Sequence, residues 1–137
     1  RRCLAASRML SSDVSAAFDP LYASYYDKRN SAFLGRGIVI SKFSGVRGKA
    51  GANDANAEYL GLIRRILDEN GVYFQTAELG KVDSGGGGTI AYVLAHYGMD
   101  VVDCGLPVLN MHAPWELISK ADLYESKKCY AAFLKHV

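Results

Sequence analysis

Apolar positions along this chain fall into two rhythms. Over Asn53–Asn70 (NDANAEYLGLIRRILDEN), Ala55, Tyr59, Leu62, Ile63, Ile66 and Leu67 recur near the 3.6-residue period. That spacing predicts an amphipathic helix, capped by Asn53 or Asp54 and stopped at Asn70-Gly71. A second helix is expected over Ser119–His136, with Leu123, Tyr130, Phe133 and Leu134 on one side and Ser119-Lys120-Ala121-Asp122 reading as a capping box. A short third one fits Thr89–Tyr97, with Ile90, Val93 and Leu94 as its apolar face. Between them lie apolar runs of strand length: Gly37–Phe43 (GIVISKF), Val72–Thr76 (VYFQT), Met99–Cys104 (MDVVDC), and Leu106–Met111, which leads to His112 and Pro114. Residues 3–10 (CLAASRML) suit a strand closed by Ser11-Ser12-Asp13. The same Ser-Ser-Asp also reads as the N-cap of a helix over Asp13–Phe18, ended by Asp19-Pro20, and local sequence favours this helix. Tyr22–Phe33 reads as a surface connection, and Ser44–Ala52 as a glycine-punctuated loop carrying Arg47 and Lys49. Alternating strands and helices predict an α/β fold, and no repeat or linker divides residues 1–137 into more than one unit.

Composition adds exclusions. Half of the 137 residues are apolar, enough for one real core but not two. The formal net charge is +2 with scattered basic residues, so nucleic acid and anionic membrane are not the expected partners. No apolar run approaches the ~20 residues that span a bilayer. Cys3, Cys104 and Cys129 are odd in number, lack C-x-x-C spacing and read as reduced thiols, which favours a cytoplasmic setting. The chain begins at Arg1 without an initiator Met and reads as cut from something longer.

Candidate chemistry concentrates between Asp83 and Pro114. Four glycines, Gly85–Gly88, allow backbone N–H groups to approach a bound group closely. A phosphate cradle is disfavoured, because DSGGGGT lacks both the Lys-Ser/Thr ending of a P-loop and the G-x-G-x-x-G spacing. Ser84 has no G-x-S-x-G setting for a nucleophile. His112 follows a strand, where open α/β sheets bind ligands, and an Asp with a His suits zinc. Two ligands do not make a catalytic zinc site, which needs at least three and a group to handle the proton of the attacking water.

Several motifs in order carry a resemblance over nearly the whole chain: Ser11-Ser12-Asp13-Val14 with Asp19-Pro20, Ile40-Ser41-Lys42-Phe43, Arg47-Gly48-Lys49, Asn53 to Glu58, Glu78 to Asp83, Gly85 to Thr89, Asp103-Cys104-Gly105 and Met111-His112-Ala113-Pro114. Together they resemble the C-terminal part of the aspartyl aminopeptidase and aminopeptidase I family of zinc metallopeptidases. The resemblance implies the C-terminal portion of a phosphorylase/hydrolase-like three-layer catalytic domain with a mixed sheet, working on peptides as a homo-oligomer with two zinc ions per complete site. It makes Asp13 a ligand of one metal and His112 of the other, and leaves the bridging Asp, the base Glu and two further ligands before Arg1. On that reading this chain holds no catalytic base, and alone it should be silent. Asp83, Gly86, Gly87, Gly88, Thr89 and Lys49 are the expected substrate-facing residues. Asp19 stands where acid-specific members are expected to carry a His, which points toward neutral or basic N-terminal residues. The rival reading is a non-catalytic assembly or regulatory module that keeps the peptidase fold.

Overall fold

The computed structural model describes residues 1–46, 50–81 and 83–137. In chain order the elements are α1 (Arg2–Ala5), β1 (Arg8–Ser11), β2 (Val14–Ala16), two 3-10 turns (Pro20–Tyr25 and Lys28–Asn30), β3 (Ile38–Ser41), β4 (Phe43–Val46), β5 (Ala50–Asp54), α2 (Ala57–Glu69), β6 (Phe74–Thr76), α3 (Ala91–Ala95), β7 (Asp100–Leu109), β8 (Leu117–Ile118) and α4 (Lys120–His136). β7 is the axis of a mixed sheet. β1 and β2 run parallel to it, β3 and β8 antiparallel, and β6 extends the sheet parallel to β3. Its sequence, DVVDCGLPVL, is buried almost throughout, as a central strand covered on both faces must be.

Side-chain alternation along β7 sorts the layers. Val102 and Cys104 share a core with Ile38 and Ile40 of β3, with Tyr59, Ile63 and Leu67 of α2, and with Cys129 of α4, so both long helices cover this face. On the other face, α3 packs on β7, Asn53 of β5 donates to the Val101 carbonyl at 3.3 Å, and Ser44 of β4 reaches Asp103.

Five local expectations give way. Asp13–Phe18 is not helical; Val14–Ala16 form β2, held by pairing with Leu106–Val108, a contact no local window registers. Ser44–Ala52 is no simple loop, since its flanks form the β4–β5 pair, and because β5 takes Asn53 and Asp54, α2 is capped instead by Asn56, whose side chain accepts the Tyr59 N–H at 3.1 Å. The two apolar runs around Gly105 are one ten-residue strand. α3 is only five residues long, and it buries Ala91 while Ile90 and Val93 stay exposed.

α4 departs further. Leu123 and Leu134 are exposed, and the helix buries Asp122, Glu125, Ser126, Cys129 and Ala132. Ser119 caps it by accepting the Ala121 N–H, but Asp122 does not close the box. Fully buried, it turns inward so that one oxygen accepts the Gly35 N–H at 2.8 Å and the other the Gly37 N–H at 2.7 Å. Two rows away, Glu125 accepts the Tyr73 N–H at 2.8 Å, so the polar side of α4 fixes the turns entering β3 and β6. Asp122→Ala strands two amide donors and should cost about 2–4 kcal/mol, whereas Asp122→Asn keeps one acceptor oxygen and should fall between it and wild type. Chemical denaturation of the three proteins checks this order; equal stability of Asn and wild type would contradict the two-oxygen role.

Candidate functional site

The site begins at a break in a strand. β1 pairs with β7 from Arg8↔Asp100 and β2 from Val14↔Leu106, and both registers have the same offset, 100 − 8 and 106 − 14 each being 92. The two strands are therefore one line with no residue inserted, interrupted at Ser12-Asp13, directly opposite Gly105. A Cβ on Gly105 would sit 1.2 Å from the Asp13 carbonyl oxygen and 2.5 Å from its carbonyl carbon. The backbone of Asp13 thus occupies the space a side chain at 105 would fill. This pinch frees Asp13 from the ladder and leaves its side chain exposed, with Oδ1 accepting the Val14 N–H at 2.7 Å.

His112 is placed by the opposite device, a turn just past the end of β7. Asn110 (φ 58) and His112 (φ 69) both adopt the left-handed region that non-glycine residues seldom enter. The turn is held by the Ala113 N–H on the Asn110 carbonyl at 2.9 Å and by the His112 N–H on the Glu116 carboxylate at 2.6 Å. Such backbone is kept where the surroundings over-determine it, commonly beside a functional site.

Between these points lies the glycine loop. Its Gly85 N–H bonds the Lys81 carbonyl at 2.8 Å, and its Gly87 carbonyl accepts the Gly45 N–H of β4 at 3.1 Å. Gly80 and Gly86 touch so closely that a Cβ on Gly80 would lie 2.9 Å from the Gly86 nitrogen. At the foot of the loop, Thr89 Oγ1 accepts the Ala91 N–H at 3.2 Å and donates to Asp103 Oδ2 at 3.0 Å.

Asp13 and His112 open onto one cleft of about 490 Å³, walled by Gly85–Gly88 and Thr89 and flanked by Tyr25 and Tyr26. Of the sequence-derived substrate residues, Gly86, Gly87, Gly88 and Thr89 line it. Asp83 (φ 65) lies on the turn leading into the loop and is not among the lining residues described; Lys49, with Arg47, falls outside the described residues. Asp19 does not reach the cleft either. Its carboxylate caps the first 3-10 turn through the Leu21 N–H at 2.9 Å, and its influence is indirect, since burial and then the Asp19 charge raise the Tyr26 hydroxyl above its ordinary pKa. The selectivity expected from Asp19 loses its direct contact. Tyr25 and Tyr26 were hidden in a stretch with no sustained period, and no sequence signal marks them as cleft residues.

Zinc takes carboxylate and imidazole donors of the kind that Asp13 and His112 present. The sulfur alternative does not compete. Cys104 and Cys129 stand 3.8 Å apart on the helix-covered face, and the Cys104 thiol is held well above its usual range by its hydrogen bond with Cys129 and by burial. Among the described residues no group of three His, Cys, Asp or Glu converges to hold a metal by itself.

A mixed sheet with a cleft at the ends of β1 and β7 is a ligand-binding arrangement common to many α/β enzymes. Comparison with known proteins narrows it: the model of the aminopeptidase I zinc metalloprotease (M18) family matches residues 1–134, and the chain belongs to that family. It is 65% identical over 136 residues to a probable M18 family aminopeptidase 1 of Clostridium acetobutylicum, covering 99% of this chain and 29% of that protein. A yeast protein, aspartyl aminopeptidase 4 of Saccharomyces cerevisiae, is 35% identical over 135 residues, covering 96% of this chain and 26% of its own length. The fold matches the crystal structure of aminopeptidase I from Clostridium acetobutylicum with a TM-score of 0.89 at 67% identity, over 93% of this chain and 28% of that one. The M18 aminopeptidase structure from Thermotoga maritima gives 0.93 at 45% identity, over 98% and 30%. The chain thus spans about three-tenths of the length of the curated relatives it matches.

Proposed function

We propose that this chain contributes Asp13 and His112 to the two-zinc site of an aminopeptidase that removes N-terminal residues from peptides, and forms the C-terminal portion of its catalytic domain. What carries the reading is that two residues from opposite ends of the chain, both matching the family's metal-binding motifs, open onto the same glycine-walled cleft. The other ligands and the general base come from the rest of the protein. When bound, zinc supplies a Lewis acid that polarises the scissile carbonyl and makes water a stronger nucleophile at neutral pH. This chain's own work is positional. The Val14 N–H orients the Asp13 carboxylate, the bond from the His112 N–H to Glu116 fixes the turn that presents the imidazole, and the glycine loop lets a peptide backbone approach without side-chain obstruction. Tyr25 and Tyr26 add aromatic surface to one side of the cleft. Among the described residues no helix is long and apolar enough to cross a membrane; the cytoplasmic setting is proposed from the free cysteines Cys3, Cys104 and Cys129. Large apolar side chains left open here, Leu21, Trp115 and Leu134 among them, fit a complete protein that assembles as a homo-oligomer.

Comparison of the isolated 137-residue chain with the full-length protein on aminoacyl substrates tests this division of labour. The full-length protein should turn over, lose activity to a chelator and regain it with zinc, while the isolated chain shows no turnover. Activity in the isolated chain would place the base within it and overturn the assignment. An inactive full-length protein with bound zinc would favour a non-catalytic module.

A further inference from the structure

β7 carries one charged residue into its buried middle, and neither metal binding nor substrate contact accounts for it. Asp103 is 6% exposed and stands in a row with Ser11 of β1 and Ser41 of β3, its two cross-strand partners, on the cleft-side face of the sheet. Its two carboxylate oxygens do different things. Oδ2 accepts from Ser44 Oγ at 2.7 Å and from Thr89 Oγ1 at 3.0 Å, and so grips both the foot of the glycine loop and the strand on which that loop rests. Oδ1 has no hydrogen-bond partner among the described residues, and the same holds for Ser15 Oγ, in a residue 4% exposed. Both residues line one cavity of about 10 Å³ together with Asp13, Ser11 and Ser41. A buried carboxylate oxygen without a partner is strongly unfavourable, and a polar cavity of this size holds one water.

We propose that Asp103 is the positioning residue of the cleft: Oδ2 sets the glycine loop through Thr89, and Oδ1 holds one water in the cavity beside Ser11, its cross-strand partner and the last residue of β1 before the break at Asp13. One carboxylate thereby ties the substrate wall to the strand break that presents Asp13. The kinetic consequence rests on the aminopeptidase reading; the water does not.

The test uses the full-length protein and two measurements. Thr89→Val keeps the shape of the side chain and removes the donor, while Thr89→Ser restores it. Losing the hydrogen bond to the Asp103 carboxylate, together with the Ala91 N–H bond to the same hydroxyl, should raise KM for a peptide substrate about tenfold in the valine variant, with kcat and zinc content little changed and KM recovered by serine. A valine variant with wild-type KM, or a serine variant as impaired as valine, overturns the loop half of the proposal; a purely structural role would lower Tm without separating KM from kcat. A crystal structure of the wild-type protein should show one water within hydrogen-bonding distance of Asp103 Oδ1 in the cavity beside Ser11, and a structure without it overturns the other half. A wild-type protein devoid of turnover would defeat the aminopeptidase reading instead, and the crystal structure would still decide for or against the water.

Discussion

Gly105→Ala should be the most damaging single substitution on the sheet, even though it adds only one methyl group. That methyl would have to occupy a point 1.2 Å from the Asp13 carbonyl oxygen, and the obstacle is backbone on a paired strand, which cannot swing aside as a flexible side chain would. β1–β2 must therefore leave β7, breaking the ladders from Arg8↔Asp100 to Ala16↔Val108 on one side of the axis strand. The expected loss exceeds about 3 kcal/mol, above the usual range for overpacking. Gly61→Ala supplies the internal control. Gly61 lies in α2 with nothing within 4 Å of an added Cβ, so alanine there should stabilise by about 0.5–1 kcal/mol. Denaturant midpoints of the two variants against wild type check the contrast. Similar stabilities would mean that the strand break at Asp13 is not held by Gly105.

The second large effect is on activity alone. Asp13→Ala and His112→Ala change exposed side chains at the cleft mouth and should leave the stability of the metal-free protein within about 0.5 kcal/mol of wild type. In the full-length protein each should lower kcat/KM by on the order of 10³ or more, because a Lewis acid worth several kcal/mol to the transition state corresponds to about three tenfold steps. Zinc content should fall in both. Since the two ligands serve one reaction, the double variant should be little worse than either single one. A single variant that kept a tenth of the wild-type activity would remove that residue from the metal site.

α2 was legible because its buried face imposes a 3.6-residue period, and the two halves of β7 because burial makes each an apolar run, although that they join across Gly105 was not. β2 was not, because apart from Val14 it holds only Ser15 and Ala16, which carry no strand preference and gain their order from β7, some ninety positions away. The face of α4 was misread because its buried side pairs Asp122 and Glu125 with amides of Gly35, Gly37 and Tyr73, whereas a hydrophobicity pattern places carboxylates outside. The cleft was partly legible. Asp13, His112 and the glycine loop stand in motifs with fixed neighbours, and all of them line one cleft. Tyr25 and Tyr26 needed the fold. Asp103 carried a signal that went unused, a carboxylate amid the apolar residues of MDVVDCGLPVL, which must find partners if the strand is central.

Anomalous X-ray scattering from zinc in crystals of the full-length protein decides whether Asp13 and His112 are zinc ligands. Two zinc peaks should stand in the cleft, one at about 2.0–2.2 Å from an Asp13 carboxylate oxygen and the other at about 2.0–2.1 Å from an imidazole nitrogen of His112. Zinc bound elsewhere, with both side chains free of metal, would contradict that assignment.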